Sequence, residues 1–322
     1  MARTVKRPAL RLVVAGGLMR GALEQIRASF PRIDAEYCPD GAALCRVVDR
    51  LKPTVAFVTK DPVGIKPEHW RYLLDQHELR WLNLGNIGFD HVPAWDRSRL
   101  KVTNSGGAAA NEMAEFALAA IMMINAGFLH YQARQRTRTW QKHYWTPLSQ
   151  KTLAVIGAGK IGSHLIKKAR ALGMRIVAIR ASDRKAPGAH VTLPASKLHK
   201  GLAQADYVSI QIPLSADTEN LIDAAALAHM KPDAWLINIA RGAIIDEAAL
   251  LDALRNGRIG GAVLDALRTE PLPGSSEFWG FDNVVVTSHN SGQIVGFYSM
   301  ITEMFCENLR RFKAGKRLMN LI

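Results

Sequence analysis

The sequence predicts an α/β protein built on two doubly wound parallel sheets, and three observations carry that expectation. Short runs of branched apolar residues alternate with stretches whose apolar positions recur at helical spacing, the pattern of strands covered by helices on both faces. The alternation occurs twice, before and after a glycine-rich crossing at Ser105-Gly106-Gly107. A length of 322 residues suits two domains better than a single hydrophobic core.

In the first half, strands are expected at 10–15, 35–37, 54–59 and 81–84, with helices around 23–28, at 42–51 and at 68–75. Asn86-Ile87-Gly88-Phe89-Asp90 follows the last of these strands. Loops at the C-terminal ends of parallel strands are where open sheets bind ligands, and backbone N–H groups at Ile87 and Gly88 can hold an anion without any charged side chain. A plain glycine turn is the alternative reading. Beyond the crossing, 111–126 reads as a nearly all-apolar helix that must be buried in a core or against a second subunit. Residues 130–147 are polar, cationic and aromatic, which suits an arm lying on a partner subunit; stacking on nucleic-acid bases is the weaker use.

The second half opens with the most informative stretch, TLAVIGAGKIGSHLIKKARALGMRIVAIR, from Thr152 to Arg180. The apolar strand 152–156 runs directly into Gly157, Gly159 and Gly162, then into an amphipathic helix and a second strand at 174–179. Gly157 permits the tight turn, Gly159 lets backbone approach a pyrophosphate, and Gly162 lets the helix pack on the strand, so a dinucleotide is the expected cofactor. Arg180 ends the second strand, where an acid usually takes the ribose hydroxyls of NAD. An Arg there suits the 2′-phosphate of NADP(H), with Ser182, Arg184 and Lys185 adding donors and charge. NAD(H) stays possible, with Asp183 as the ribose partner.

Strands are then expected at 207–211, 235–239, 261–265 and 284–287, and helices at 223–230 and 247–256, the second capped by Asp246 and ended by Gly257. A last helix at 300–314 is expected to return to the first domain. Arg241, Glu270 and His289 fall at or just after the ends of three of these strands. Each alone has a structural reading as turn, solvated loop or buried histidine; their shared sheet edge makes them a candidate site. The chemistry they suit is reduction of a carbonyl beside a carboxylate. His289 can supply a proton to the developing oxyanion, Glu270 can orient the ring and favour its protonated form, and Arg241 offers a planar fork for the carboxylate.

A net charge of +14 invites a nucleic-acid reading, but Lys and Arg are interleaved with acids and no nucleic-acid motif appears, so anionic small molecules are the expected partners. Cys38, Cys45 and Cys306 form no C-x-x-C pair, which points away from a zinc site or disulfide framework, and no metal is expected. The basic N-terminus resembles a targeting segment only superficially, since Arg11 interrupts its apolar part. The most apolar stretch, 116–129, contains Asn125 and is too short for a membrane span, so a cytoplasmic protein with no membrane or nucleic-acid partner is expected.

The strings GAGKIG, INIARGAIIDEAAL, GAVLDALRTEPLP and NVVVTSHNSG, together with VTNSGGAAANEMAEFAL, IQIPLSADTENLID and MKPDAWLINIARG, resemble the D-isomer-specific 2-hydroxyacid dehydrogenase family over nearly the whole chain from about Trp81. The resemblance implies a Rossmann domain over 105–294, a flavodoxin-like substrate domain over 1–104 and 295–322, a cleft between them, and a homodimer joined through 111–150. It implies Arg241, Glu270 and His289 as the catalytic set, and Ile87 and Gly88, beside Asn86, on the substrate carboxylate. Cofactor contacts are implied at Ala158, Lys160 and Ile161 in the glycine turn, at Ile212, Pro213 and Thr218, at Ile239, Ala240 and Gly292, and at Asp265 near the nicotinamide.

The activity implied is reduction of a small 2-oxoacid, such as glyoxylate, hydroxypyruvate or pyruvate, to a D-2-hydroxyacid. Asn86 stands where a small residue is usual, Gly106 and Ser288 where Pro is usual, and Pro93 where Asp is usual, which leaves the substrate's side chain open. Two alternatives remain: formate or phosphite oxidation within the same family, against the first of which Glu270 argues, and a non-enzymatic, cofactor-sensing corepressor-like protein.

Overall fold

The structure, a computed structural model, describes residues 10–60, 64–89, 91–182 and 184–322. The N-terminal nine residues, Asp90 and the alternative ribose partner Asp183 lie outside the described residues. The chain divides into two compact units, 1–108 with 295–322 and 109–294. The first crossing follows Ala108. The reason is local: Ser105 Oγ donates to Leu84 O at 2.9 Å and Asn320 Nδ2 to Gly106 O at 2.8 Å, which keeps the glycine segment on unit 1.

Unit 1 follows the order β1 (Arg11–Ala15), α1 (Arg20–Ser29), β2 (Asp34–Cys38), α2 (Gly41–Leu51), β3 (Val55–Val58), α3 (Pro67–Leu74), β4 (Trp81–Leu84) and β5 (Lys101–Thr103). All neighbours pair in parallel in the order β2-β1-β3-β4-β5, the flavodoxin-like arrangement. β3 and β4 are buried along their whole length, as apolar runs of this composition require when helices cover both faces. Asp40 caps α2 by accepting from Ala43 N at 2.8 Å. β5 escaped the sequence reading because three residues are too few to show a period.

Unit 2 runs through α4 (Ala110–Asn125), α5 (Phe128–Arg136), β6 (Thr152–Ile156), α6 (Lys160–Ala171), β7 (Arg175–Arg180), β8 (Val191–Pro194), α7 (Leu198–Leu202), β9 (Tyr207–Ile210), α8 (Ala224–Ala228), β10 (Trp235–Asn238), α9 (Glu247–Arg255), β11 (Gly261–Leu264) and β12 (Val284–Val286). The sheet order is β12-β11-β10-β9-β6-β7-β8, which is the Rossmann order extended by one strand. Asp246 caps α9 through Ala248 N and Ala249 N, and Gly257 stands at φ +60° beyond its end. β8 and α7 were not anticipated: β8 lies at the sheet edge and ends in Pro194, so its run is short, mixed in polarity and unlike a central strand.

α10 (Phe297–Ala314) returns to unit 1, as expected, and Phe305 stacks between Phe57 and Trp81 with ring centroids 4.5 and 5.1 Å away. The segment expected as a polar, aromatic arm begins as a helix, α5 over 128–136. Within the chain α4 is not buried all round: Met122 is 47% exposed, and α5 buries no residue. Among the described residues no single helix is long and apolar enough to cross a membrane.

Candidate active site

The glycine turn at the end of β6 is shaped by close contacts. Gly157 has φ +99° and its N–H donates to Ile179 O at 2.8 Å, joining the turn to the end of β7. A Cβ on Gly162 would lie 2.0 Å from Gly157 O, so any larger residue would push α6 off the strand. A Cβ on Gly159, by contrast, would meet nothing within 4 Å. That position is the open face in front of the first turn of α6, whose leading N–H groups have no intrahelical acceptor. Partial burial holds the Lys160 ammonium below the usual lysine range, and as the first residue of α6 it also faces the positive end of the helix dipole. These residues therefore fit a dinucleotide pyrophosphate.

Around that turn the other expected cofactor residues fall into two groups. Ile212 packs on the turn, since its Cγ2 would sit 2.7 Å from a Cβ at Gly157, and Arg180 follows directly on Ile179, with Nη1 donating to Arg184 O at 3.3 Å. Ser182 is exposed on the turn so formed. Ala158, Ile239 and Ala240 are buried; Ile161 is half-buried and Pro213 exposed. The Thr218 hydroxyl is engaged in its own turn, donating to Pro213 O at 2.8 Å and accepting from Ser215 N at 2.7 Å. A Cβ at Gly292 would touch only Met113 Sδ, at 4.0 Å.

The reactive candidates lie past the ends of β10, β11 and β12, three adjacent parallel strands. His289 Nδ1 lies 3.1 and 3.0 Å from the two carboxylate oxygens of Glu270, and Leu267 N donates to Glu270 Oε1 at 3.0 Å, so acid and imidazole are held as a unit. Both side chains keep about two-fifths of their surface exposed, 40% for Glu270 and 41% for His289, so the pair is open to a ligand. His289 adopts φ +52°, an uncommon conformation for a residue with a Cβ. What holds it there is Asp265, 1% exposed. Its backbone O accepts His289 N at 2.9 Å, and its carboxylate accepts Thr287 Oγ1 at 2.6 Å, Asn290 N at 2.7 Å and Ser291 N at 3.1 Å. Expected at the nicotinamide, Asp265 here braces the histidine turn from within.

Arg241 is tied to the same cluster through backbone. Asn238, fully buried, donates Nδ2 to Arg241 O at 2.9 Å and to Ala266 O at 3.3 Å. A Cβ on Gly242 would fall 1.9 Å from Leu267 C, so the backbone after Arg241 lies against the loop that carries Glu270. Arg241 Nη1 donates to Ala240 O at 2.8 Å. Sequence reading missed Asn238 and Gly242 as organisers of this edge; the signal available was a lone amide in the apolar run WLINIA, directly before Arg241-Gly242.

In unit 1 the loop after β4 departs from expectation in one respect. The Asn86 side chain is spent on Lys60, with Oδ1 accepting Lys60 N at 2.6 Å and Nδ2 donating to Lys60 O at 3.3 Å. Asn86 thus braces the loop. Ile87 and Gly88 remain half-buried, with no acceptor for their N–H groups among the described residues.

Known proteins resemble this chain in sequence and in fold. A sequence profile described as the NAD binding domain of D-isomer specific 2-hydroxyacid dehydrogenases matches residues 118–291. A glyoxylate reductase of Korarchaeum cryptofilum is 32% identical over 86% of this chain and 85% of its own length. A D-3-phosphoglycerate dehydrogenase of Synechocystis is 36% identical over 66% of this chain, and the chain spans only 39% of that relative's length. The crystal structure of a D-isomer specific 2-hydroxyacid dehydrogenase family protein from Aeromonas salmonicida superposes with a TM-score of 0.83 at 26% identity, covering 97% of this chain and 98% of that one.

Proposed function

Since the chain belongs to the D-isomer-specific 2-hydroxyacid dehydrogenase family, whose members are NAD(P)-dependent oxidoreductases, we propose that it reduces a small 2-oxoacid to the D-2-hydroxyacid, with NADPH as the preferred reductant. The observation that carries this reading is the Glu270–His289 pair at the strand ends of the nucleotide-binding sheet.

A reduced nicotinamide cofactor, held by its pyrophosphate at the 157–162 turn, would supply the hydride for the carbonyl carbon. The residues of this chain do the rest. With Nδ1 engaged by Glu270, His289 presents Nε2, which gives its proton to the carbonyl oxygen as negative charge develops there. Glu270 fixes the ring orientation through its contact with Nδ1. The Arg241 guanidinium suits polarisation of the carbonyl and binding of a carboxylate, and in unit 1 the Ile87 and Gly88 N–H groups suit an anion by hydrogen bonding alone. In the oxidative direction His289 accepts the proton. Arg180, with Ser182 at the same turn, supports the preference for a 2′-phosphate.

We also read 111–150 as the surface of a homodimer. Phe128, Trp140 and Tyr144 are 62%, 99% and 89% exposed, an apolar display that water disfavours in a lone chain.

The test is a panel of glyoxylate, hydroxypyruvate and pyruvate, run with NADPH and with NADH and followed by loss of reduced-nicotinamide absorbance. Reduction of at least one, with higher kcat/KM for NADPH, is expected. No oxidation of either cofactor with any of them overturns the activity, and a better result with NADH overturns the cofactor preference.

A further inference from the structure

Four asparagines of unit 1 spend their side-chain amides on the backbone of other segments. Asn308 on α10, fully buried, grips Met319 from both sides: Nδ2 donates to Met319 O at 3.1 Å and Oδ1 accepts Met319 N at 2.8 Å. Asn320 follows at φ +55° and sends Nδ2 to Asn104 O at 3.1 Å and Gly106 O at 2.8 Å, while its own carbonyl accepts Asn104 N at 3.2 Å. Asn104 then donates Nδ2 to Ile87 O at 2.7 Å and accepts Gly106 N on Oδ1 at 3.0 Å. Asn86, on Lys60, holds the other side of the same loop. The segment is seated on the outer strand β5, with Leu321 bridging Thr103 in antiparallel sense and Ile322 N donating to Val102 O at 3.0 Å.

The decisive contact is the one at Ile87. A trans peptide is planar, with its C=O and N–H pointing in opposite directions, so whatever fixes the Ile87 carbonyl also aims the Gly88 N–H. Asn104 draws that carbonyl toward itself and thereby turns the Gly88 N–H away, where it has no acceptor among the described residues. We propose that Asn104 and Asn320 are positioning residues for the anion-binding loop 86–88, a relay in which the docked segment 319–322 sets the direction of the Gly88 N–H. The proposal rests on the reading above, in which this loop takes the substrate carboxylate; neither asparagine touches substrate.

Two substitutions test it. Asn104→Asp keeps the acceptor for Gly106 N but replaces the donor to Ile87 O with a carboxylate oxygen. Asn320→Gly keeps the left-handed backbone at no steric cost and removes only the amide. For Asn104→Asp the KM for glyoxylate is expected to rise about tenfold, the worth of one net hydrogen bond, with a smaller rise for Asn320→Gly. The kcat and the KM for NADPH should stay near parental values, and the Gly88 amide resonance should shift in both variants. An unchanged KM for the oxoacid with an unmoved Gly88 resonance overturns the relay. So does an equal rise in KM for the oxoacid and for NADPH, the mark of a merely structural role. If the parent protein reduces no 2-oxoacid, the proposed activity falls instead, and the Gly88 resonance alone decides the relay: no shift in either variant overturns it.

Discussion

The carboxyl ends of the two parallel sheets set out different kinds of polar group. Unit 2 sets out charged and titratable side chains, Arg241, Glu270 and His289, and holds them with buried backbone contacts and the enclosed carboxylate of Asp265. Unit 1 sets out no charged side chain at Ile87 and Gly88, only backbone N–H groups directed by neutral amides. The difference follows from the tasks proposed for each. A proton donor needs an ionisable group of fixed orientation. A permanently charged carboxylate is satisfied by correctly aimed N–H dipoles, which cost no buried countercharge.

The largest effect is expected at His289, the proposed proton donor. His289→Ala should lower kcat by about 10²- to 10⁴-fold with little change in the KM for NADPH. Steady-state kinetics that show a parental kcat would break the assignment.

Next comes the backbone contact between the Arg241 and Glu270 loops. Gly242→Ala places a Cβ 1.9 Å from Leu267 C, so the loop must shift at a cost of roughly 1–3 kcal/mol. A lowered calorimetric midpoint together with a reduced kcat is the expected outcome, and an unaltered midpoint would mean that this close approach relaxes freely.

The smallest effect is expected at Asn86, whose amide braces the unit 1 loop without facing it. Asn86→Ala should raise the KM for the oxoacid by about 3- to 10-fold and leave kcat nearly unchanged, consistent with the loss of roughly one net hydrogen bond. A fall in kcat comparable to that of His289→Ala would erase the distinction between the two edges.

Much of the architecture was legible because its signals are local. The burial of β3, β4 and β6 was written in apolar runs, the cap of α9 in Asp246, and the nucleotide turn in three glycines. β5 and β8 were not legible, one too short and the other an edge strand ending in proline. The helical start of the segment after α4 was hidden by its polar composition, which shows no apolar stripe.

At the site, the reactive residue types were readable while the groups that orient them were not. Nothing in the spacing of Asp265 announces that its carboxylate closes on Thr287, Asn290 and Ser291, and nothing in Asn320 points to Asn104, 216 positions away. The amino-acid order by itself determined the two-sheet class, the dinucleotide turn and the guanidinium, carboxylate and imidazole brought to one sheet edge. Tertiary structure alone decided which polar groups are consumed as internal struts and which remain to meet a ligand. Periodicity reports contacts within a few residues along the chain, whereas a hydrogen bond depends on distance and direction in space, which only the folded chain supplies.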